Sequence, residues 1–167
     1  MVALVAEEFG YLFNSQLEAG IRAVIVLELL RPEVADLSEM VLFDHLVVHS
    51  HDIGGPRSLH AEVPARKGEL LVRRRLVESG LDLMRRCHLV EKDCNELGFV
   101  WRASDNASSY IELLETPYSV QLKECANWIA NEVHRLSKDG FKHFARERLG
   151  DWSEAFSTHS LTMTGRD

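Results

Sequence analysis

Histidine is the residue type best placed to do chemistry in this chain. Four of its eight histidines lie close together, His45, His49, His51 and His60, with Asp44 and Asp52 beside them. His45 and His49 are four apart, so on a helix they share a face and have metal-ligand spacing. His49-Ser50-His51-Asp52 also has the H-x-H form used by metallo-hydrolases. Such a centre needs a later carboxylate and a distant histidine, and neither those nor an H-E-x-x-H motif follows. A polar helix end with loop histidines bonded to backbone accounts for the same residues, so the expectation is no metal there. Cys87-His88 and Cys94 offer three zinc-type donors, at a spacing that fits no finger and without a fourth ligand nearby. With Cys125 they make an odd count lacking a C-x-x-C pair, which reads as reduced thiols.

Nucleophilic and phosphate chemistry find less support. There is no G-x-S-x-G and no Gly-rich phosphate loop followed by Lys. Gly54-Gly55 lacks the preceding strand and following helix of a nucleotide loop, and lets the backbone turn where side chains would clash. The sequence therefore predicts no catalytic residue, no cofactor and no enzyme. Basic chemistry concentrates between Arg66 and Arg86, where seven Lys or Arg face three acids, a local +4 that leaves −11 elsewhere. Arg74, Arg75, Arg85 and Arg86 are the candidates for nonspecific DNA-backbone contact. Against that, Arg74–Glu78 and Asp82–Arg86 are i, i+4 pairs that would neutralise the face, and no Asn or Gln there offers adenine readout.

These residues sit on a predominantly helical pattern. Ser15 with Glu18 forms a capping box opening Gln16 to Arg31, apolar nearly all round toward its end and stopped by Pro32. Asp36 with Glu39 opens a second helix, Leu37 to about His49. A long Gly/Pro-rich connection, Asp52–Lys67, follows, and loops of that length are usually functional. A third helix runs from about Glu69 to Cys87, with Leu70, Val72, Leu76, Val77, Gly80, Leu81, Leu83, Met84 and Cys87 on one broad face. Arg73 falls among those apolar positions and should snorkel or find a carboxylate. Leu89–Lys92 and Phe99–Arg102 read as a hairpin turning at Asn95–Gly98. A fourth helix ends at Leu114, and a fifth opens at Thr116-Pro117 and reaches Leu136. Gly140 interrupts, and a short last helix carries Phe141, Phe144, Leu149 and Trp152. Trp101, Trp128 and Trp152 read as packing residues.

Helix, helix, helix, hairpin, helix is the order of a winged helix. The expected fold class is mainly α: a winged helix-like domain of three helices and a β-hairpin wing over residues 13–115. It would follow a lead-in at 1–12 and precede C-terminal helices at 116–156 and a flexible tail at 157–167. Composition agrees with a globular chain: 167 residues, 46% apolar, 27% charged, net charge −7. No apolar run approaches the ~20 residues of a membrane span, and no basic n-region with an apolar core opens the chain. A cytoplasmic location is the expectation.

Four stretches carry a family resemblance. They are Phe13-Asn14-Ser15-x-Leu17-Glu18-x-Gly20-x-Arg22-Ala23; Val47-Val48-His49-Ser50-x-Asp52-x-Gly54-Gly55-Pro56-x-Ser58-Leu59-His60; Gly68-Glu69-Leu70-Leu71-Val72-Arg73-Arg74-x-Leu76; and Thr116-Pro117-Tyr118-Ser119. Together the pattern, over about residues 11 to 135, resembles the middle-component family of bacterial ABC three-component systems; the chain departs from it past His134. The resemblance implies an anti-phage defence complex of the Lamassu-like kind, containing an SMC/Rad50-like ATPase, an effector that is often a nuclease, and this non-catalytic adaptor at the ATPase head. An acidic domain without a catalytic constellation, with one long Gly/Pro-rich loop, suits that role. The expected partner-binding residues are Asp52, Gly54, Gly55, Pro56, Arg57, Ser58, Leu59, His60 and Arg66, together with the third helix. A free-standing winged helix transcription regulator is the competing expectation. It would need a homodimer and submicromolar affinity for one duplex. A metal-dependent hydrolase is the third, and would need metal held by His49 and His51.

Overall fold

A computed structural model describes residues 15–60, 67–96 and 98–150, with side chains of 67–70 left aside. The first helix, α1 (Gln16–Leu29), opens at Ser15, whose Oγ accepts from Glu18 N at 3.2 Å. From Ala19 to Leu27 all but Ile21 of its side chains are buried, as all-round apolar character requires. It stops at Leu29, two residues before the predicted Arg31, because the residue preceding Pro32 is kept out of the helical region.

A two-residue strand, β1 (Ala35–Asp36), runs straight into α2 (Leu37–Val48). Asp36 caps α2 by a full capping box: its Oδ1 accepts from Glu39 N at 2.8 Å, and Glu39 Oε2 accepts from Asp36 N at 3.0 Å. After a 3-10 turn (Ser50–Ile53) and the connecting loop comes α3 (Lys67–Arg86), then β2 (Val90–Asn95) and β3 (Gly98–Ala103). The strands form one antiparallel sheet in the order β1-β3-β2, with Ala35 opposite Trp101 and Asn95 opposite Gly98. Helix, strand, helix, helix, hairpin is a winged helix-like arrangement, and the fold is mainly helical. The expected hairpin is present with longer strands, Val90–Asn95 and Gly98–Ala103, and a tighter turn. The third strand went unpredicted because two residues ahead of a cap carry no alternation to read.

The closest helix crossing joins α1 to α3. A Cβ on Gly80 would lie 2.6 Å from Gly20 N and 3.0 Å from Ala19 C, so only hydrogen fits between the two backbones. Around this point α3 buries Val77, Leu81 and Met84. Val72 and Cys87, expected on the same face, are exposed instead, Val72 by 67%. Among the described side chains of α3, from Leu71 on, full burial starts at Val77.

Past the hairpin come α4 (Ala107–Glu112), α5 (Pro117–Leu136) and α6 (Lys138–Leu149). Thr116 caps α5, with Pro117 in its first turn. Leu122, Cys125, Ala126, Ile129 and Val133 of α5 join the core built by α1 and α2. Gly140 does not interrupt this region. It lies inside α6, and the break falls at Ser137, which has a positive φ of 67° and accepts from Gly140 N through its Oγ at 3.2 Å. Phe141 stacks on Phe43 with ring centroids 6.0 Å apart, while Lys138 and Lys142 bond Glu39 at 3.1 and 2.9 Å. The capping carboxylate of α2 thus also anchors α6. Residues 1–12, 157–167 and Trp152, assigned above to a lead-in, a tail and a packing role, lie outside the described residues.

Candidate interaction surface

The described part of the connection after α2, His49 to His60, is tied together by hydrogen bonds. Gly54 turns the chain at φ 86°, and Gly55 N donates to Ser50 O at 2.9 Å. Ser50 Oγ donates to Pro56 O at 3.0 Å, and His51 N donates to Ser58 Oγ at 3.2 Å. Leu59 N and His60 N both donate to Val48 O, at 3.0 and 3.1 Å. Gly55 lies against α5: a Cβ there would stand 2.8 Å from the Trp128 ring and 2.9 Å from Ser50 O. Ser50 and Ile53 are buried, and Cys125, whose thiol burial pushes upward in pKa, lies 3.4 Å from Ser50 Oγ. Gly55, Pro56, Ser58, Leu59 and His60 are half-buried and hold the turn. His51, Asp52, Gly54 and Arg57 face outward. Arg66 lies outside the described residues.

Beneath the loop, four further side chains, buried Arg22 and Asp44 with half-buried Arg73 and Tyr118, form a polar network that the sequence reading did not assemble. Arg22 Nε donates to Asp44 Oδ1 at 2.7 Å, with both side chains at most 3% exposed. Arg73 Nη1 donates to Asp44 Oδ2 at 2.5 Å, which is the carboxylate Arg73 was expected to find. The Tyr118 hydroxyl pairs with His60 Nε2 at 2.9 Å, and the Arg22 charge acts on that hydroxyl against the upward push of burial on its pKa. Burial opposes charge on Asp44, but the Arg22 and Arg73 guanidiniums overcome it and hold the carboxyl below its ordinary range. All four family-like stretches reach this place, through Arg22, His60, Arg73 and Tyr118. A lone Asp in apolar α2 and a lone Arg in apolar α1 were the available signal, since buried charges are paired.

The histidines complete the network as rings. His45 and His49 are buried and tilted together with centroids 4.6 Å apart, and His49 meets His60 edge-on at 6.1 Å. This corrects the picture of a polar helix end: the stretch from Glu39 to Ser50 is buried throughout. Burial, then His49 and Arg73, push His45 down to about 3, and burial with Arg22 brings His60 to about 4, so both are neutral at pH 7. Among the described residues, no group of three or more His, Cys, Asp or Glu is placed to hold a metal ion.

The α3 arginines divide. Arg74 is half-buried and donates to Ser38 Oγ at 3.2 Å rather than pairing with Glu78. Arg85 and Arg86 both pair with Asp82, at 3.0 and 3.3 Å, so the expected Asp82–Arg86 pair forms. Arg75 and Arg85 line an open groove of about 460 Å³ between α3 and the hairpin, with Lys92 and Trp101 on the far wall and Glu78 and Asp82 alongside. Lys92 Nζ stands 4.1 Å over the ring of the exposed Phe99. The groove's lining includes no residue of the 49–60 loop.

The family model for the ABC-three-component (ABC-3C) system Middle Component 2 matches residues 12–155. The chain belongs to this middle component 2 family. The match runs well past His134, where the sequence reading placed the departure, and takes in α5 and α6 of this middle component. No curated protein and no solved structure gives a significant match. A middle component of a three-component system works beside other components. No helix among the described residues is long and apolar enough to cross a membrane.

Proposed function

We propose that this middle component is a non-catalytic adaptor in an anti-phage defence complex of the Lamassu-like kind. It bridges an SMC/Rad50-like ATPase and a nuclease-type effector in the cytoplasm. The observation that carries the reading is the 49–60 turn. Internal hydrogen bonds, Trp128 and the Arg22–Asp44–Arg73 network hold it in one shape while Asp52 and Arg57 project from it. A surface ordered before binding loses less entropy on association than a floppy loop would. Within the expected partner residues, Asp52, Gly54 and Arg57 then make contact, while Gly55, Pro56, Ser58, Leu59 and His60 position them. Nonspecific DNA contact falls to the α3–hairpin groove, where Arg75 makes no ion pair with a described residue and Lys92 adds a second cation.

The test is co-purification with the ATPase subunit of the same operon, using Asp52→Arg and Arg57→Glu. Both residues are exposed, so circular dichroism should be unchanged. Loss of a central contact weakens binding by about 30-fold or more, at roughly 2 kcal/mol. Undiminished co-purification by a folded double variant overturns the reading. Recovery instead of a homodimer bound to one DNA duplex, with no ATPase, would replace the adaptor by the transcription-regulator alternative.

A further inference from the structure

The hairpin carries one aromatic side chain where its core-facing pattern runs out of core. In the register of β2 and β3, Lys92 stands opposite Trp101 and Cys94 opposite Phe99, so Lys92, Phe99 and Trp101 share one face. Trp101 is buried on that face, whereas Phe99, one pleat nearer the turn, is 60% exposed. Lys92 Nζ lies 4.1 Å from the Phe99 ring centroid and 5.3 Å from that of Trp101. The hairpin carboxylates Glu91 and Asp93 alternate onto the other face and pair there with Arg102, at 2.7 and 3.4 Å. Across the groove, Arg85 and Arg86 share Asp82, and Arg74 is taken by Ser38. The cations that make no ion pair with a described residue are therefore Arg75 and Lys92, and both line the groove. Between Arg75 and Arg85 the α3 wall carries Glu78 and Asp82 on successive turns. A duplex laid along α3 would bring its phosphates past both carboxylates. Two open cations beside an exposed ring suit a short single strand instead, which is held by backbone neutralisation and by stacking of its bases.

We propose that the α3–hairpin groove takes a single-stranded segment of DNA, such as a frayed end, with one base stacked on Phe99 and the adjoining phosphates on Lys92 and Arg75. This rests on the reading that DNA contact falls to the groove, and narrows it from phosphate contact in general to a strand with free bases. Lys92 occupies one face of the Phe99 ring and the base takes the other, so ring and cation hold the same nucleotide. In an intact duplex the base faces are covered by their neighbours, and exposing one costs unstacking and unpairing. A loose strand offers its faces without that cost. Glu78 and Asp82 add to the preference, because they repel a second row of phosphates along α3 while leaving the Phe99 end of the groove open.

The test is titration of the full chain with a thymidine hexamer, followed by amide chemical shifts, beside a blunt duplex and an abasic hexamer that keeps every phosphate. The thymidine hexamer should bind at least about fivefold tighter than either, the low end of what one stacked base is worth. Phe99→Ala should remove that advantage and leave the abasic hexamer bound as before, while Phe99→Tyr, which keeps a ring, should bind like the parent. Circular dichroism should be unchanged in both, since Phe99 is exposed. Two neutralised phosphates weaken binding by about sevenfold between roughly 50 and 200 mM salt. The proposal is overturned if Phe99→Ala binds the hexamer like the parent, if Phe99→Tyr loses as much as Phe99→Ala, or if a uridine hexamer binds tighter, which assigns RNA. Equal affinity for hexamer, abasic hexamer and duplex also overturns it, but leaves phosphate contact at the groove standing. No binding of any of them up to about 1 mM removes the DNA reading as well. Loss of a co-purifying protein component from Phe99→Ala, with hexamer affinity unchanged, makes the groove a protein site instead.

Discussion

Acid should unfold this protein earlier than its carboxylates alone would allow, and the buried imidazoles set the size of the effect. His45 is 5% exposed and held down to about 3, against 6.5 when free. The unfolded chain therefore takes up its proton first, and stability falls as pH drops below 6.5 toward the folded value. Between pH 7.5 and 5.0 His45 contributes a loss of about 2 kcal/mol, at about 1.36 kcal/mol per pH unit below 6.5. His60, lowered to about 4 but only half-buried, acts in the same direction, discounted for solvent to about 1 kcal/mol. Glu18 works the other way: burial raises its pKa, so the folded form binds its proton first and gains stability on acidification. Asp44, with its lowered pKa, keeps its contribution until pH falls below the ordinary carboxylate range. The assay is urea unfolding at pH 7.5 and 5.0 of the parent and of His45→Phe, which keeps a ring against His49. With a slope of about 1–3 kcal/mol/M, the parent midpoint should drop by about 1 M or more, and the variant should lose about 2 kcal/mol less than the parent. Equal pH dependence in the two proteins refutes the assignment to His45.

Two substitutions in the helices should separate crowding from propensity. Gly80→Ala should destabilise by about 1–3 kcal/mol, because its Cβ meets α1 backbone that cannot move away, despite the helix preference for alanine. Gly140→Ala, whose Cβ meets only side-chain atoms at 3.4 Å, should be neutral or stabilising by about 0.5 kcal/mol. Chemical denaturation measures both. Asp44→Asn should cost about 3–5 kcal/mol, since it leaves Arg22 buried without its counter-charge, and a thermal melt within a degree or two of the parent would contradict the network's role.

What was legible in the sequence was whatever is written locally. Asp36 and Glu39 announce the start of α2, Pro117 that of α5, and the apolar run from Val24 to Leu27 the central place of α1. The tertiary consequences were not written locally. That Val72 is exposed depends on where α1 crosses α3, which the Gly20–Gly80 contact decides across fifty-nine intervening positions. The buried network escaped because Arg22, Asp44, Arg73 and Tyr118 lie on four different helices and no spacing rule links them. The loop was found for its glycines and prolines, but its division into holding and outward-facing residues required Trp128 and Val48 to be in place.

The core that α5 shares with α1 has a consequence for synthesis. α1 is buried on nearly every side, and part of its cover, Leu122 to Val133, leaves the ribosome about a hundred residues later; at roughly 5–20 residues per second that is a delay of several seconds. Through that interval Val24 to Leu27 stand open to solvent or to whatever binds nascent apolar segments. The middle component thus has a central helix made well before its cover is complete, and its yield in the cell should depend on chaperone supply.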